Sequence, residues 1–164
     1  MALGLAVVYI AGMVAASALA ERAIAREVER REARPTVVMF QPYPADPFSG
    51  GVVVGTAEGY RKGAFGWFSR PRLRLDDDLL RPLPQAMDAP VGRSAGPREA
   101  AASVREAVAA PEARDFLVWA RFPYVVITDA GEAVDVFIGD ARYREGEAGG
   151  LSGVRVRVMP PVRP

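Results

Sequence analysis

From Ala2 to Ala20 the chain carries no charged residue in 19 consecutive positions. No other feature restricts its folding as strongly. As a helix the run is about 28 Å long, close to the roughly 30 Å of hydrocarbon in a bilayer. A surface helix of a water-soluble domain carries a charged face, and this run has none. The reading is a transmembrane helix in the cell membrane, single-pass as the chain stands. A cleaved signal peptide is the alternative, because Ala18-Leu19-Ala20 has the small-x-small form of a cleavage site. Against it, no Lys or Arg precedes the apolar run, as a secretory leader requires. Gly4, Gly12, Ala16 and Ala20 recur at multiples of four. Such a stripe lets a membrane helix of a second copy or of an adjacent chain approach closely, although an alanine-rich composition also produces it by chance.

Charge arrives abruptly at Glu21. Residues 21–35 stay compatible with helix until Pro35 stops it, with Glu27 and Arg31 in a favourable i,i+4 pair and Ile24 and Val28 continuing an apolar line. This segment reads as a juxtamembrane helix carrying the tether into water. Arg22, Arg26, Arg30, Arg31 and Arg34 all follow the apolar run, so the positive-inside rule places the soluble part in the cytoplasm.

Beyond Pro35 the period changes. Thr36–Gln41 is β-branched and ends in the turn-rich Pro42-Tyr43-Pro44-Ala45-Asp46-Pro47; Gly51–Thr56 and Tyr60–Phe68 form a hairpin about Glu58-Gly59. Arg70–Leu75 reads as an edge strand or extended loop, and Asp76–Gly96 as a long connection. Gly96-Pro97 opens a helix in which Ala101, Val104 and Val108 share a face, and Pro111 opens a shorter one with Phe116, Leu117, Trp119 and Ala120. Tyr124–Thr128 and Ala133–Ile138 make a second hairpin across 129–132. Gly153–Met159 closes the chain, with Val154, Val156 and Val158 on one face and Arg155 and Arg157 on the other. The expected class is α+β: a transmembrane helix (1–20), a charged juxtamembrane helix (21–35) and a small, mainly antiparallel sheet domain with one helical segment (36–164).

The chain has no cysteine and no histidine, and its formal net charge is +1. These facts exclude disulfides, thiol catalysis, Cys/His zinc sites and an imidazole base. They also give no electrostatic footprint for nucleic acid, which is not expected as a partner. Asp76-Asp77-Asp78 is the densest carboxylate cluster, but adjacent side chains diverge and no calcium-loop pattern surrounds them; a solvated loop capping a turn at Leu79 is expected. Lys62–Phe68 has a faint likeness to an RNA-stacking strand, yet Phe65 and Trp67 on one face suit a core better. Arg70, Arg72 and Arg74 suit either a protected sheet edge or contacts to phosphate or anionic lipid. Ser49 and Ser94 lie beside glycines but outside any nucleophile elbow. Asp135 and Asp140 flank Val136-Phe137-Ile138-Gly139 as a possible carboxylate dyad or as strand-end turns.

Three strings occur in order: Pro42-Tyr43-Pro44-Ala45-Asp46-Pro47-Phe48, followed by Val52-Val53-Val54 and Gly59-Tyr60-x-x-Gly63; Phe116-Leu117-Val118-Trp119-Ala120-Arg121-Phe122-Pro123-Tyr124; and Val136-Phe137-Ile138-Gly139-Asp140-Ala141-Arg142-Tyr143. Together they resemble the C-terminal soluble region of the membrane-bound (inner-membrane) metal-dependent hydrolase family. The resemblance implies a membrane location beside a catalytic helical bundle supplied by a longer or adjacent chain. A divalent metal is implied by the resemblance alone; the family's metal-binding histidines and acids lie in membrane helices with no counterpart here. After Phe48, where the family often carries an aromatic, this chain has Ser49-Gly50-Gly51. No catalytic, cofactor-binding or metal-binding residue is assigned.

The resulting expectation is a membrane-anchored accessory or binding module whose partners are the lipid bilayer and membrane helices. Its candidate interaction surface is Pro44, Asp46, Pro47 and Phe48 near Phe122, Pro123 and Tyr124, with Asp140 and Arg142. Two alternatives stand beside it. One is a structural or regulatory membrane-surface protein; the other is a hydrolase using Asp76–Asp78, Asp135 or Asp140 with a hard metal ion.

Overall fold

The computed structural model describes residues 2–31, 34–44, 46–88, 97–131, 133–143 and 152–159. The class is α+β, and contacts gather the chain into two compact units, Met1–Leu79 and Leu80–Pro164.

The first unit begins with one uninterrupted helix, α1 (Ala2–Glu29). Its 28 residues extend about 42 Å, longer than a bilayer core. The two ends live in different surroundings. Leu3, Leu5, Val8, Ile10 and Val14 are exposed, whereas Ala20, Ile24 and Val28 are buried to 2% exposure or less. These three stand at i, i+4 and i+8, so they form one stripe, and they join Phe40, Val52, Val54, Phe65 and Leu73 in a single apolar core. The segment expected to carry a tether into water is instead seated on the sheet. Polar contacts fix the seat: the Phe40 N–H donates to Glu21 at 3.3 Å, and Arg31 donates to the Leu73 carbonyl at 3.2 Å. The helix ends at Glu29, short of Pro35, in a tightened turn where the Arg31 N–H bonds the Val28 carbonyl.

Strands β1 (Val37–Tyr43), β2 (Asp46–Gly55) and β3 (Tyr60–Gly66) pair antiparallel in sequence order. The register shifts between Pro42 and Tyr43, so most of the expected turn-rich segment is strand around a tight reversal. Strand β4 (Leu73–Pro82) follows. A methyl group on Gly63 would lie 2.0 Å from the Arg74 carbonyl oxygen, so this position accommodates hydrogen alone. The expected long connection at 76–96 is corrected over 76–88, where Asp76–Asp78 are exposed residues of β4 and Leu83–Asp88 form helix α2. Exposed on both faces, the acids lack the alternation that marks a strand in sequence.

In the second unit the end of β4 pairs with β5 (Pro123–Asp129), which pairs with β6 (Val134–Asp140), which pairs with β7 (Gly153–Val158), all antiparallel. The expected hairpin is present, with Gly131 at φ +83°, a conformation that suits glycine. Helices α3 (Pro97–Ala109) and α4 (Pro111–Leu117) supply Val104, Ala107, Ala113 and Phe116 to a core shared with Val136, Ile138 and Val158. The valine/arginine alternation of β7 holds as expected, and Arg155 lies over the Phe137 ring at 5.7 Å.

Truncating Ile24 to alanine should lower unfolding free energy by about 2–5 kcal/mol, because the side chain is fully enclosed. Ile10→Ala, on the exposed half of the same helix, should leave the transition of the purified full chain in detergent unchanged. Chemical denaturation of both variants checks the contrast.

Candidate functional site

The candidate residues fall into two groups, one in each unit. In the first, Asp46 opens β2 and folds its carboxylate back on its own strand. It accepts hydrogen bonds from the Phe48 N–H at 2.9 Å and from the Ser49 hydroxyl. The Ser49 bond, then the Phe48 bond, hold the carboxyl below its ordinary value. Asp46 therefore acts as the lock of a local turn. Pro44 is exposed and Pro47 half-buried, while Phe48 projects into solvent with its ring 5.5 Å from that of Phe68, itself 83% exposed. The accessible feature of this hairpin is an aromatic pair.

The second group forms a closed knot. Asp140, the last residue of β6, is fully buried. Its carboxylate accepts four hydrogen bonds: from the Arg121 N–H at 2.7 Å, the Arg142 N–H at 3.0 Å, Arg142 Nε at 3.0 Å and Arg142 Nη2 at 2.8 Å. Arg142 also donates to the Trp119 carbonyl at 3.2 Å, and its guanidinium lies 5.6 Å from the Trp119 ring and 5.2 Å from the Tyr143 ring. The Ala141 N–H donates to the Phe122 carbonyl at 3.0 Å. Thus the second and third sequence strings meet physically here. Tyr124 pairs with Gly139 across β5 and β6, and a methyl group on Gly139 would lie 2.6 Å from the Tyr124 ring. That missing side chain gives the ring its place. Phe122 and Tyr124 are buried and Pro123 is half-buried.

Electrostatics agree with a structural role for the pair. Burial pushes the Asp140 carboxyl up, but the Arg142 side chain, the two backbone N–H donors and the Arg142 charge outweigh it and hold the group below 3.8. The same pairing raises Arg142. With four donors on its carboxylate and no exposed surface, Asp140 is closed off from solvent, and Arg142 keeps 17% exposure.

The remaining acids do not converge. Asp135 and Asp140 stand five residues apart on β6 and so project to opposite faces, which removes the possible dyad. Asp135 is held by Arg157 at 2.8 and 3.1 Å, and that bond lowers its carboxyl. Asp76–Asp78 project along an exposed strand, not from a loop. Among the described residues no three Asp, Glu, His or Cys side chains gather to hold an ion, so the divalent metal implied by the resemblance finds no fitting donor set. Phe65 belongs to the core, with Phe40 and Trp67 packed edge-on against it. Ser94, Ala45, Glu132 and residues 89–96 lie outside the described residues.

In the sequence Arg22, Arg26 and Arg30 carry an orientation signal alone. The structure places them beside Arg72 and Trp67 along one groove of the first unit. Their spacing at i, i+4 and i+8, directly after the apolar run, is the signal that marks them as one face. Comparison with family models, curated proteins and solved structures finds no match.

Replacing Asp140 by asparagine strands Arg142 and should cost on the order of 3 kcal/mol near neutral pH. The folded-state pKa lies below the unfolded value of 3.8, so the wild-type advantage is complete above that value. It is lost as pH falls through the folded pKa. Urea unfolding of both chains at pH 7 and at progressively lower pH should show the gap narrowing only on the acid side of 3.8.

Proposed function

We propose that the chain is a membrane-anchored accessory module, the C-terminal part of a metal-dependent hydrolase-like protein of the inner membrane. It holds its β-rich units at the cytoplasmic surface and does not catalyse by itself. The observation carrying this reading is the division of labour within α1. Its first half is apolar and exposed, and the same unbroken helix then inserts Ala20, Ile24 and Val28 into the core of the first unit. An apolar surface of that extent is unfavourable in water and favourable in hydrocarbon. Because no linker separates the two halves, the sheet stands within a few residues of the bilayer.

The accessory role is supported by what the carboxylates do. Asp46, Asp135 and Asp140 are each engaged in a local bond or an ion pair. The strings behind the hydrolase resemblance supply a turn lock and a buried knot, which are scaffold functions. The arginines after the apolar run favour a cytoplasmic placement.

Expressed full-length, the protein should remain in the membrane pellet after alkaline carbonate washing. Val8→Arg with Gly12→Arg, at about 3 kcal/mol per charge near the helix centre, should release it. The chain has no cysteine, so a single Glu58→Cys change reports orientation: an impermeant thiol reagent should label it only after permeabilisation. Release of the wild-type chain by carbonate would overturn the anchor. A rise in melting temperature on adding divalent metal would overturn the non-catalytic reading.

A further inference from the structure

The groove lined by Leu19, Ala23, Phe65, Trp67 and Pro71 has a cationic rim of Arg22, Arg26, Arg30 and Arg72. It lies within the first unit, between the lower half of α1 and the turn after β3, and encloses about 610 Å³. The charge is unbalanced. Glu27 is the one acid in the lining, and it is occupied by Arg30 at 2.7 Å and Arg31 at 3.5 Å. Among the described residues no carboxylate pairs with Arg22, Arg26 or Arg72, and Arg22, Arg26 and Arg72 are exposed. Unpaired guanidiniums above an apolar floor suit an amphiphile with an anionic head: the guanidinium fork binds phosphate oxygens, and the floor accepts glycerol and the first methylenes of a chain.

Position supports the same chemistry. Arg22 and Arg26 lie about 3 and 9 Å beyond Ala20 along the helix axis. The polar layer on each side of a bilayer is about 5–8 Å thick, so when the apolar run spans the hydrocarbon Arg22 lies within it and Arg26, whose side chain leans back toward the helix N-terminus, lies at its outer edge. Trp67, half-buried in the groove wall, has the amphipathic ring favoured at that level. We infer that this groove is a binding site for the headgroup of an anionic glycerophospholipid. The inference rests on the anchor reading for its depth argument, though the groove's charge and apolar floor stand without it.

The test is native mass spectrometry of the full chain in an uncharged detergent, titrated with phosphatidylglycerol and with phosphatidylcholine. Phosphatidylglycerol should be retained about tenfold or more tightly, and Arg22→Gln/Arg26→Gln/Arg72→Gln should abolish the difference while leaving the melting temperature unchanged. The corresponding triple lysine variant, which keeps the charge, should retain most of the preference. Millimolar inorganic phosphate should not displace the lipid. Equal retention of the two lipids, an unaffected glutamine variant, or displacement by inorganic phosphate would each overturn the proposal, the last by assigning the groove to a free phosphate. Because affinity is read in micelles, release from membranes by carbonate with lipid preference intact would defeat only the anchor reading. Retention in membranes with no lipid preference would defeat only the site.

Discussion

The seating of Ala20, Ile24 and Val28 on the sheet is the contact on which the first unit depends. Burying Ile24 and Val28 contributes about 1.5–3 kcal/mol each. Their removal would also open the face formed by Phe40, Val52, Val54, Phe65 and Leu73. A three-residue stripe therefore does two jobs. It completes a core that a small sheet cannot close alone, and it couples that core mechanically to an apolar helix. Glu21 and Arg31 fix its rotation and its end through backbone groups of β1 and β4. With the rotation fixed, Arg22, Arg26 and Arg30 have a determined direction. The groove is thus a consequence of how the helix packs.

The second unit solves a different problem. The end of β6, the loop before β5 and the turn after α4 must be held together beyond the last ladder pair, Asp140 with Pro123. A buried carboxylate with four donors does this. An apolar residue at 140 would leave the N–H groups of Arg121 and Arg142 unsatisfied, which is costly away from water. Trp119 and Tyr143 enclose the guanidinium, keeping the pair partly desolvated and strong. Strings that look like a functional signature can therefore be a record of how a junction is closed.

Much of this was legible in the sequence. The uncharged run, the alternation of β7, the shared face of Ala101, Val104 and Val108, and the glycine turn at 131 each carry a local physical signature, and each reappears. What was hidden depended on partners distant in the chain. Ile24 and Val28 form an apolar line in either surroundings, and only the presence of Phe40 and Val52 decides between water and core. Asp76–Asp78 gave no strand signal because neither face of their segment is buried there. The opposite projection of Asp135 and Asp140 follows from strand parity, but only once both are known to belong to one strand. Asp140 itself has the composition of a surface turn, and its burial is set by Arg121 and Arg142 closing over it.

Net charge behaves in the same way. A total of +1 excludes a long-range field of the kind that gathers nucleic acid, yet it averages over groups too far apart to sense one another. At physiological salt an exposed charge is screened beyond about 8 Å, so recognition is decided within single patches. Residues 20–30 carry three arginines, Arg22, Arg26 and Arg30, and these arrive at the sheet with Arg72 alongside. The acids that offset them lie elsewhere: Asp140 is paired with Arg142, Asp135 with Arg157, Asp46 is held in its own turn, and Asp76–Asp78 lie exposed along β4. A nearly neutral chain can in this way present an unpaired cationic rim, provided that its carboxylates lie outside the patch or are already paired within it. The placement of the acids and the unpaired arginines are two sides of one distribution of charge.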